Sequence, residues 1–183
     1  DDCVVTFLLG PPGGLGSALT SEHITTDFSE SLIELVTPPF TRSWELLQYL
    51  CDLHKFVYRH LGDELLWATS MPCAIKGEES IPIAEYGRSN VGTMKTVYRR
   101  GLGHRYGRVM QAISGVHFNY SFPDPFWPVL ADVAQSKDAG RAFQSDAYFG
   151  LLRNYRRHGW IVLYLFGNSP AICPSFLQGR KVD

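Results

Sequence analysis

Seven residues near the middle of the chain set the terms for its fold. From Val116 to Phe122 the pattern alternates strictly, with Val116, Phe118, Tyr120 and Phe122 on one side and His117, Asn119 and Ser121 on the other. A period of two marks a half-buried β-strand, and Pro123, Pro125 and Pro128 close it. Elsewhere the period lengthens. Leu46, Leu50, Leu53, Val57 and Leu61 recur at steps of four, three, four and four, which predicts a helix over 41–62 with one apolar stripe. Thr41 or Ser43 is placed to cap its start and Gly62 to end it. A second helix is predicted over 94–113, with Val97, Leu102, Val109 and Ile113 among its apolar contacts. Gly101 and Gly103 each cost that helix about 1 kcal/mol relative to Ala, so a bend or break is expected there. A third is predicted over 145–166, with Asp146 near its positive end.

The remaining segments are shorter. An apolar run at 4–9 ends in the turn cluster Gly10-Pro11-Pro12-Gly13-Gly14, and a β-branched run at 31–37 ends at Pro38-Pro39. Residues 77–90 read as an irregular polar connection with one short strand at most. Strands mixed with long helices, without regular βαβ alternation, indicate the α+β class.

Composition narrows the function. A chain of 183 residues that is 45% hydrophobic can bury a sizeable core and suits one domain or a large piece of one. Seventeen Lys+Arg against eighteen Asp+Glu leave a net charge of −1, which offers no bulk attraction to nucleic acid or anionic membrane. The longest greasy stretch, Ile161 to Phe166, is about a third of a membrane span. Cys3, Cys51, Cys73 and Cys173 show neither C-x-x-C nor zinc spacing, so reduced thiols in a cytoplasmic protein are expected. With no initiator Met and no signal pattern, the chain is expected to be a fragment of something longer.

The strongest chemical signal is a pair of carboxylates in β-prone, apolar sequence: Asp27 in Ile24-Thr25-Thr26-Asp27-Phe28, and Glu34 between Ile33 and Leu35. Inward carboxylates on sheet strands are what a hard cation such as Mg²⁺ requires, whereas a lone buried one is costly. The pattern also permits Glu34 to pair with an Arg or to lie on a half-exposed face. His117 shares its strand face with Asn119 and Ser121, which leaves it either a structural residue or a ligand at a cavity. The other five histidines show no metal-site grouping. Lys95 and Arg99, four apart on a helix, form either a solvated face or a seat for a carboxylate or phosphate. Arg153-Asn154-Tyr155-Arg156-Arg157-His158 is weak support for nucleic-acid binding. The cluster at Gly10 to Ser17 fails both phosphate-loop patterns.

Taken in order, several short motifs resemble the bacterial glutamate–cysteine ligases (γ-glutamylcysteine synthetases). They include Leu15-Gly16-Ser17-Ala18-Leu19-Thr20, Ile24-Thr25-Thr26-Asp27-Phe28-Ser29-Glu30, Asp52-Leu53-His54, Trp67-Ala68-Thr69-Ser70-Met71-Pro72-Cys73 and Tyr86-Gly87-Arg88-Ser89-Asn90. The most specific are Arg105-Tyr106-Gly107, Ile113-Ser114-Gly115-Val116-His117-Phe118-Asn119 and the run from Tyr164 to Cys173. The resemblance extends from about Leu15 to Gly179.

That resemblance implies an incomplete part of a glutamine-synthetase-like, curved antiparallel sheet with flanking helices, held in a single partial catalytic domain. It implies ATP-dependent joining of the γ-carboxylate of L-glutamate to L-cysteine through γ-glutamyl phosphate, with Mg²⁺ at the phosphates. Asp27, Glu34 and His117 match the family's metal–phosphate site. Phe28, Tyr98, Arg99 and Leu102 match its pocket for the acceptor cysteine. An apolar pocket discriminates one methylene by only about 1–3 kcal/mol, so 2-aminobutyrate is expected to be partly accepted. Two departures stand out: the family's Glu-x-Glu motif is missing upstream of Leu15, and its C-terminal half would begin after Asp183. The missing remainder of the polypeptide is therefore an expected partner, and the isolated chain is expected to be inactive, with exposed sheet edges and apolar surface. The alternative is a non-catalytic module, derived from the ligase fold, that binds an amino acid or a partner.

Overall fold

A computed structural model of the chain describes residues 14–67, 69–72, 75–167 and 171–177. The apolar run at 4–9, Cys3, Cys73 and Asn168-Ser169-Pro170 lie outside the described residues. The chain forms two compact units, one running to Gly115 and resuming at Ile172, the other spanning Val116–Ala171.

The first unit is built on a hairpin. Strand β1 (Ile24–Thr26) pairs antiparallel with β2 (Ile33–Leu35), in the register Ile24↔Leu35, Thr25↔Glu34 and Thr26↔Ile33. Alternation then sorts the side chains. Ile24, Ile33 and Leu35 turn toward a core that holds Ala18, Val57, Leu61, Ala84 and Tyr86, while Thr25 and Glu34 turn away from it. The segment after residue 80 lies along the hairpin turn: Ser29 bridges Ile83, the Glu30 N–H donates to the Pro82 carbonyl at 3.1 Å, and the Ala84 N–H donates to the Phe28 carbonyl at 3.0 Å.

Helix α1 (Ser43–Tyr58) realises the predicted stripe as far as Leu53 and the fully buried Val57, but it ends at Tyr58 with Arg59 at its C-cap, short of Gly62, and Leu61 joins the same core from the loop beyond. Its start has no side-chain cap: Arg42 occupies the N-cap position, and neither Thr41 nor Ser43 bonds to the helix end. Helix α2 (Asn90–Tyr106) begins earlier than the pattern predicts, because the Ser89 side chain caps it through the Gly92 N–H at 3.1 Å. It runs unbroken through Gly101 and Gly103. The break comes at Gly107, whose φ of 84° is one that L side chains rarely adopt, and α3 (Arg108–Gln111) follows. A glycine inside a helix only weakens it, while one in the left-handed region ends it. Phe28, Ile75, Ile81, Val109, Ala112 and Phe176 form a second core, with Leu102 and Ile113 packed against it.

The second unit is helical: α4 (Phe126–Val133), α5 (Arg141–His158) and α6 (Trp160–Phe166). The expected strand over 116–122 is corrected here. These residues pair with no strand among the described residues, and Val116 is 95% exposed. Alternation fixes which side chains share a side, and Phe118 and Tyr120 do stack at 6.5 Å, but a strand also needs a ladder partner. The expected third helix is split at Gly159 into α5 and α6. Helix α4 has no forerunner in the sequence reading, since Pro128 reads as a breaker. It sits in the helix's first turn, where no N–H is missed.

The α+β class holds, with six α-helices and one antiparallel strand pair among the described residues. Among those residues no helix is long and apolar enough to cross a membrane.

Candidate functional site

The outward face of the hairpin carries the predicted carboxylates. Pairing runs one step beyond β1, where the Asp27 N–H donates to the Leu32 carbonyl at 3.0 Å. Asp27 is exposed between buried Thr26 and buried Phe28, so it shares the Thr25 side of the hairpin. Glu34, opposite Thr25, stands on that same side, diagonal to Asp27. Diagonal partners on one sheet face are about 7–8 Å apart, within reach of each other's side chains. Both carboxylates are exposed. This corrects the expectation of an inward, desolvated Glu34: the period of two sends Ile33 and Leu35 to the core and leaves Glu34 in water.

The turn bearing Asp27 is clamped from α2. The Arg99 guanidinium donates through Nε to the Asp27 carbonyl, through Nη2 to the Thr26 carbonyl at 3.2 Å and through Nη1 to the Lys95 carbonyl at 3.1 Å. It lies 4.6 Å from the centre of the Tyr86 ring, and the Lys95 ammonium lies 5.0 Å from the same centre. An aromatic face holds cations by its quadrupole, which offsets the repulsion between two on one helix face. The Tyr86 hydroxyl accepts from Thr26 Oγ1 at 2.7 Å and donates to the Thr26 carbonyl at 2.9 Å. Burial pushes the Tyr86 phenol above its ordinary range, while the bond to Thr26 and the charge of Arg99 pull the other way.

Gly92 allows this arrangement. A Cβ there would stand 2.4 Å from the Tyr86 carbonyl oxygen, so only glycine lets the first turn of α2 rest on the 86–87 backbone. The Thr96 hydroxyl, one turn on, donates to the Gly92 carbonyl at 3.2 Å.

The four residues matched to the acceptor pocket separate into two kinds. Phe28 and Leu102 belong to the second core, where the Phe28 ring is buried. Arg99 is half-buried and committed to backbone carbonyls, while Tyr98 is exposed. Arg99 thus tethers the turn, a role that its charge pattern did not disclose. His117 lies in the second unit, exposed on the unpaired stretch before α4. Two exposed carboxylates on one face suit a hard, oxygen-seeking ion. Among the described residues no group of three or more His, Cys, Asp or Glu side chains is close enough to hold one, so the hairpin offers a partial ligand set.

Tyr86 and Glu30 also shape the site, though neither stands out in the sequence. Glu30 Oε2 accepts the Glu85 N–H at 3.1 Å. Burial pushes its carboxyl above the ordinary carboxylate range; the Glu85 N–H opposes this and the Glu85 carboxylate adds to it. With Ser17, Leu19 and Tyr86, the two glutamates line a small cleft beside the hairpin. Both Tyr86 and Glu30 fall in recognisable motifs, yet loop residues have no periodicity from which a partner can be read. In the second unit, Phe122, Phe126, Trp127, Leu130, Tyr148 and Leu151 line an apolar cavity of about 180 Å³.

Residues 9–183 match the family model described as glutamate–cysteine ligase. The chain is 52% identical over 172 residues to a glutamate–cysteine ligase of Alcanivorax borkumensis, covering 94% of this chain and 33% of that one. It is 54% identical over 169 residues to that of Pseudomonas putida, covering 92% and 32% respectively. A crystal structure of the Francisella tularensis glutamate–cysteine ligase in complex with AMP matches with a TM-score of 0.77 at 40% identity, over 92% of this chain and 32% of that one. A bifunctional glutathione synthetase from Pasteurella multocida matches with a TM-score of 0.76 at 28% identity, over 92% and 22%. The chain spans about a third of the length of the curated relatives it matches.

Proposed function

The chain belongs to the glutamate–cysteine ligase family, and from that premise we propose that it contributes part of the active site of an ATP-dependent ligase joining L-glutamate to L-cysteine in the cytoplasm. The observation that carries this reading is the diagonal placement of Asp27 and Glu34 on one open hairpin face, with the Asp27 backbone pinned by Arg99.

In the proposed reaction the glutamate γ-carboxylate attacks the γ-phosphorus of ATP, forming γ-glutamyl phosphate and releasing ADP. The cysteine amine then attacks the acyl carbon, phosphate leaves, and the nitrogen loses a proton as the amide forms. Asp27 and Glu34 would contribute oxygen ligands to Mg²⁺, which when bound would draw off charge on phosphoryl oxygens. The residues of this chain do the positioning. The ladder register sets the spacing of Asp27 and Glu34, and Tyr86 with Arg99 holds the turn that presents Asp27. Phe28 and Leu102 form the apolar backing of the acceptor pocket, and Tyr98 its open side. Arg99 keeps guanidinium hydrogens beyond those given to carbonyls, so it can also meet the acceptor's α-carboxylate.

A chimera tests this directly. These residues replace the matching third of the Pseudomonas putida ligase, and phosphate release is followed with glutamate, cysteine and ATP. Release that requires both amino acids in the chimera, and none from the isolated chain, is the expected result. A folded chimera without that release would overturn the proposal.

A further inference from the structure

Helix α6 has no polar face. From Trp160 to Phe166 every residue is aromatic or aliphatic, and exposure runs from 41% at Ile161 to 81% at Tyr164 and Phe166. A surface helix keeps charged or polar residues on one side, whereas a helix apolar all round belongs in an interior. Helix α5, joined to α6 through Gly159, adds Leu151, Leu152 and Tyr155, which are 50–61% exposed. Proteins that function as monomers rarely leave so continuous an apolar surface open.

Two kinds of cover are chemically reasonable, a lipid surface and a polypeptide. Arg156, Arg157 and His158 close α5 beside this surface, as basic residues do on membrane-binding helices. Yet a helix lying on a membrane needs a strongly polar face of its own, and α6 lacks one. Length points the same way. The family match runs continuously through α6, while the matched relatives are about three times as long as the part covered here.

We propose that the apolar surface of α6 and the adjoining row of α5 is the docking face for the polypeptide that makes up the other two thirds of the ligase, a proposal that rests on reading the chain as part of that enzyme. The face is then an interior one: Leu163 and Tyr164 enter the core of the assembled protein, and the basic end of α5 lies at its rim.

The test uses the 183-residue chain and a separately expressed polypeptide comprising the unmatched portion of the Pseudomonas putida ligase. The wild-type chain is compared with Leu163→Asp/Tyr164→Asp and with the milder Leu163→Ser, each checked for unchanged helical circular dichroism. Wild type is expected to co-elute with the complement at micromolar concentration, the double variant to bind at least 100-fold more weakly, and the serine variant to fall between. Equal binding by all three chains, or no binding by wild type, overturns the proposal. So does self-association of the wild-type chain that persists with the complement in excess and is abolished by the double variant, which assigns the face to a second copy. Preferential partition of the wild-type chain onto phosphatidylglycerol-containing vesicles in the presence of the complement overturns it in favour of lipid. Binding without glutamate- and cysteine-dependent phosphate release upholds the docking face while removing the support for the proposed chemistry.

Discussion

Thr26 and Tyr86, 60 residues apart in sequence, are tied by two hydrogen bonds that run in opposite directions. The threonine hydroxyl donates to the phenol at 2.7 Å, and the phenol donates to the threonine carbonyl at 2.9 Å. That carbonyl also receives Arg99 Nη2 at 3.2 Å, so both of its lone pairs are engaged. Tyr86→Phe keeps the ring under the two cations but removes both hydroxyl bonds. It is expected to destabilise the chain by about 1–3 kcal/mol, the cost of leaving buried polar groups unsatisfied. Urea unfolding should show a lower midpoint at unchanged slope; an unmoved midpoint would show that the two bonds contribute nothing net.

The raised Glu30 carboxyl predicts a pH effect of definite sign. Its folded value lies above the ordinary 4.5, so the folded state holds the proton more tightly than the unfolded chain does. The stability it contributes is fully present below pH 4.5 and is lost as pH rises through the folded value. Glu30→Gln cannot titrate, yet it still offers an oxygen to the Glu85 N–H. Above pH 4.5 its stability should decline less than wild type's, and at pH 7 it should unfold at higher urea. Parallel stability curves across pH 4–7 would remove Glu30 as the cause.

Two glycines on one helix are expected to respond in opposite ways to the same substitution. Gly92→Ala places a methyl 2.4 Å from the Tyr86 carbonyl oxygen, forcing the start of α2 away from its support. A loss of about 1–3 kcal/mol is expected from this overpacking. At Gly101 a Cβ meets nothing within 4 Å, so Gly101→Ala should gain up to about 1 kcal/mol from propensity. Thermal unfolding of the pair measures both, and equal shifts of the same sign would contradict the packing at Gly92.

In the chimeric enzyme the two halves of the proposed site should separate kinetically. Glu34→Gln is expected to lower kcat about 100-fold or more, the scale for losing one group that stabilises developing charge, with circular dichroism unchanged. Tyr98→Ala should instead act chiefly through KM for cysteine. Near-wild-type turnover of the first variant, or an unchanged cysteine KM in the second, would remove the corresponding role.

What the sequence disclosed and what it hid divide along physical lines. The stripe of α1 was legible because a helix buries residues at a fixed local period, and Val57 and Leu53 are indeed in the core. The carboxylates at 27 and 34 were legible as a pair, but not their exposure, because alternation does not say which face meets the core. Residues 116–122 carry a strand's pattern but find no partner strand among the described residues, since pairing is a property of distant chain. The Thr26–Tyr86–Arg99 clamp was invisible for the same reason: Arg99 stands out as a cation beside Lys95, but nothing local ties it to Thr26 or Tyr86. Gly107, rather than Gly101 or Gly103, ends α2 because backbone angle, not residue type alone, decides where a helix stops.

The ladder register has a consequence for how this hairpin can vary over time. Inserting or deleting one residue between Asp27 and Ile33 would slide β2 by one place against β1. Ile33 and Leu35 would then face water and Glu34 would be driven into the core, even though no side chain had changed. Natural length polymorphism should therefore spare this turn entirely.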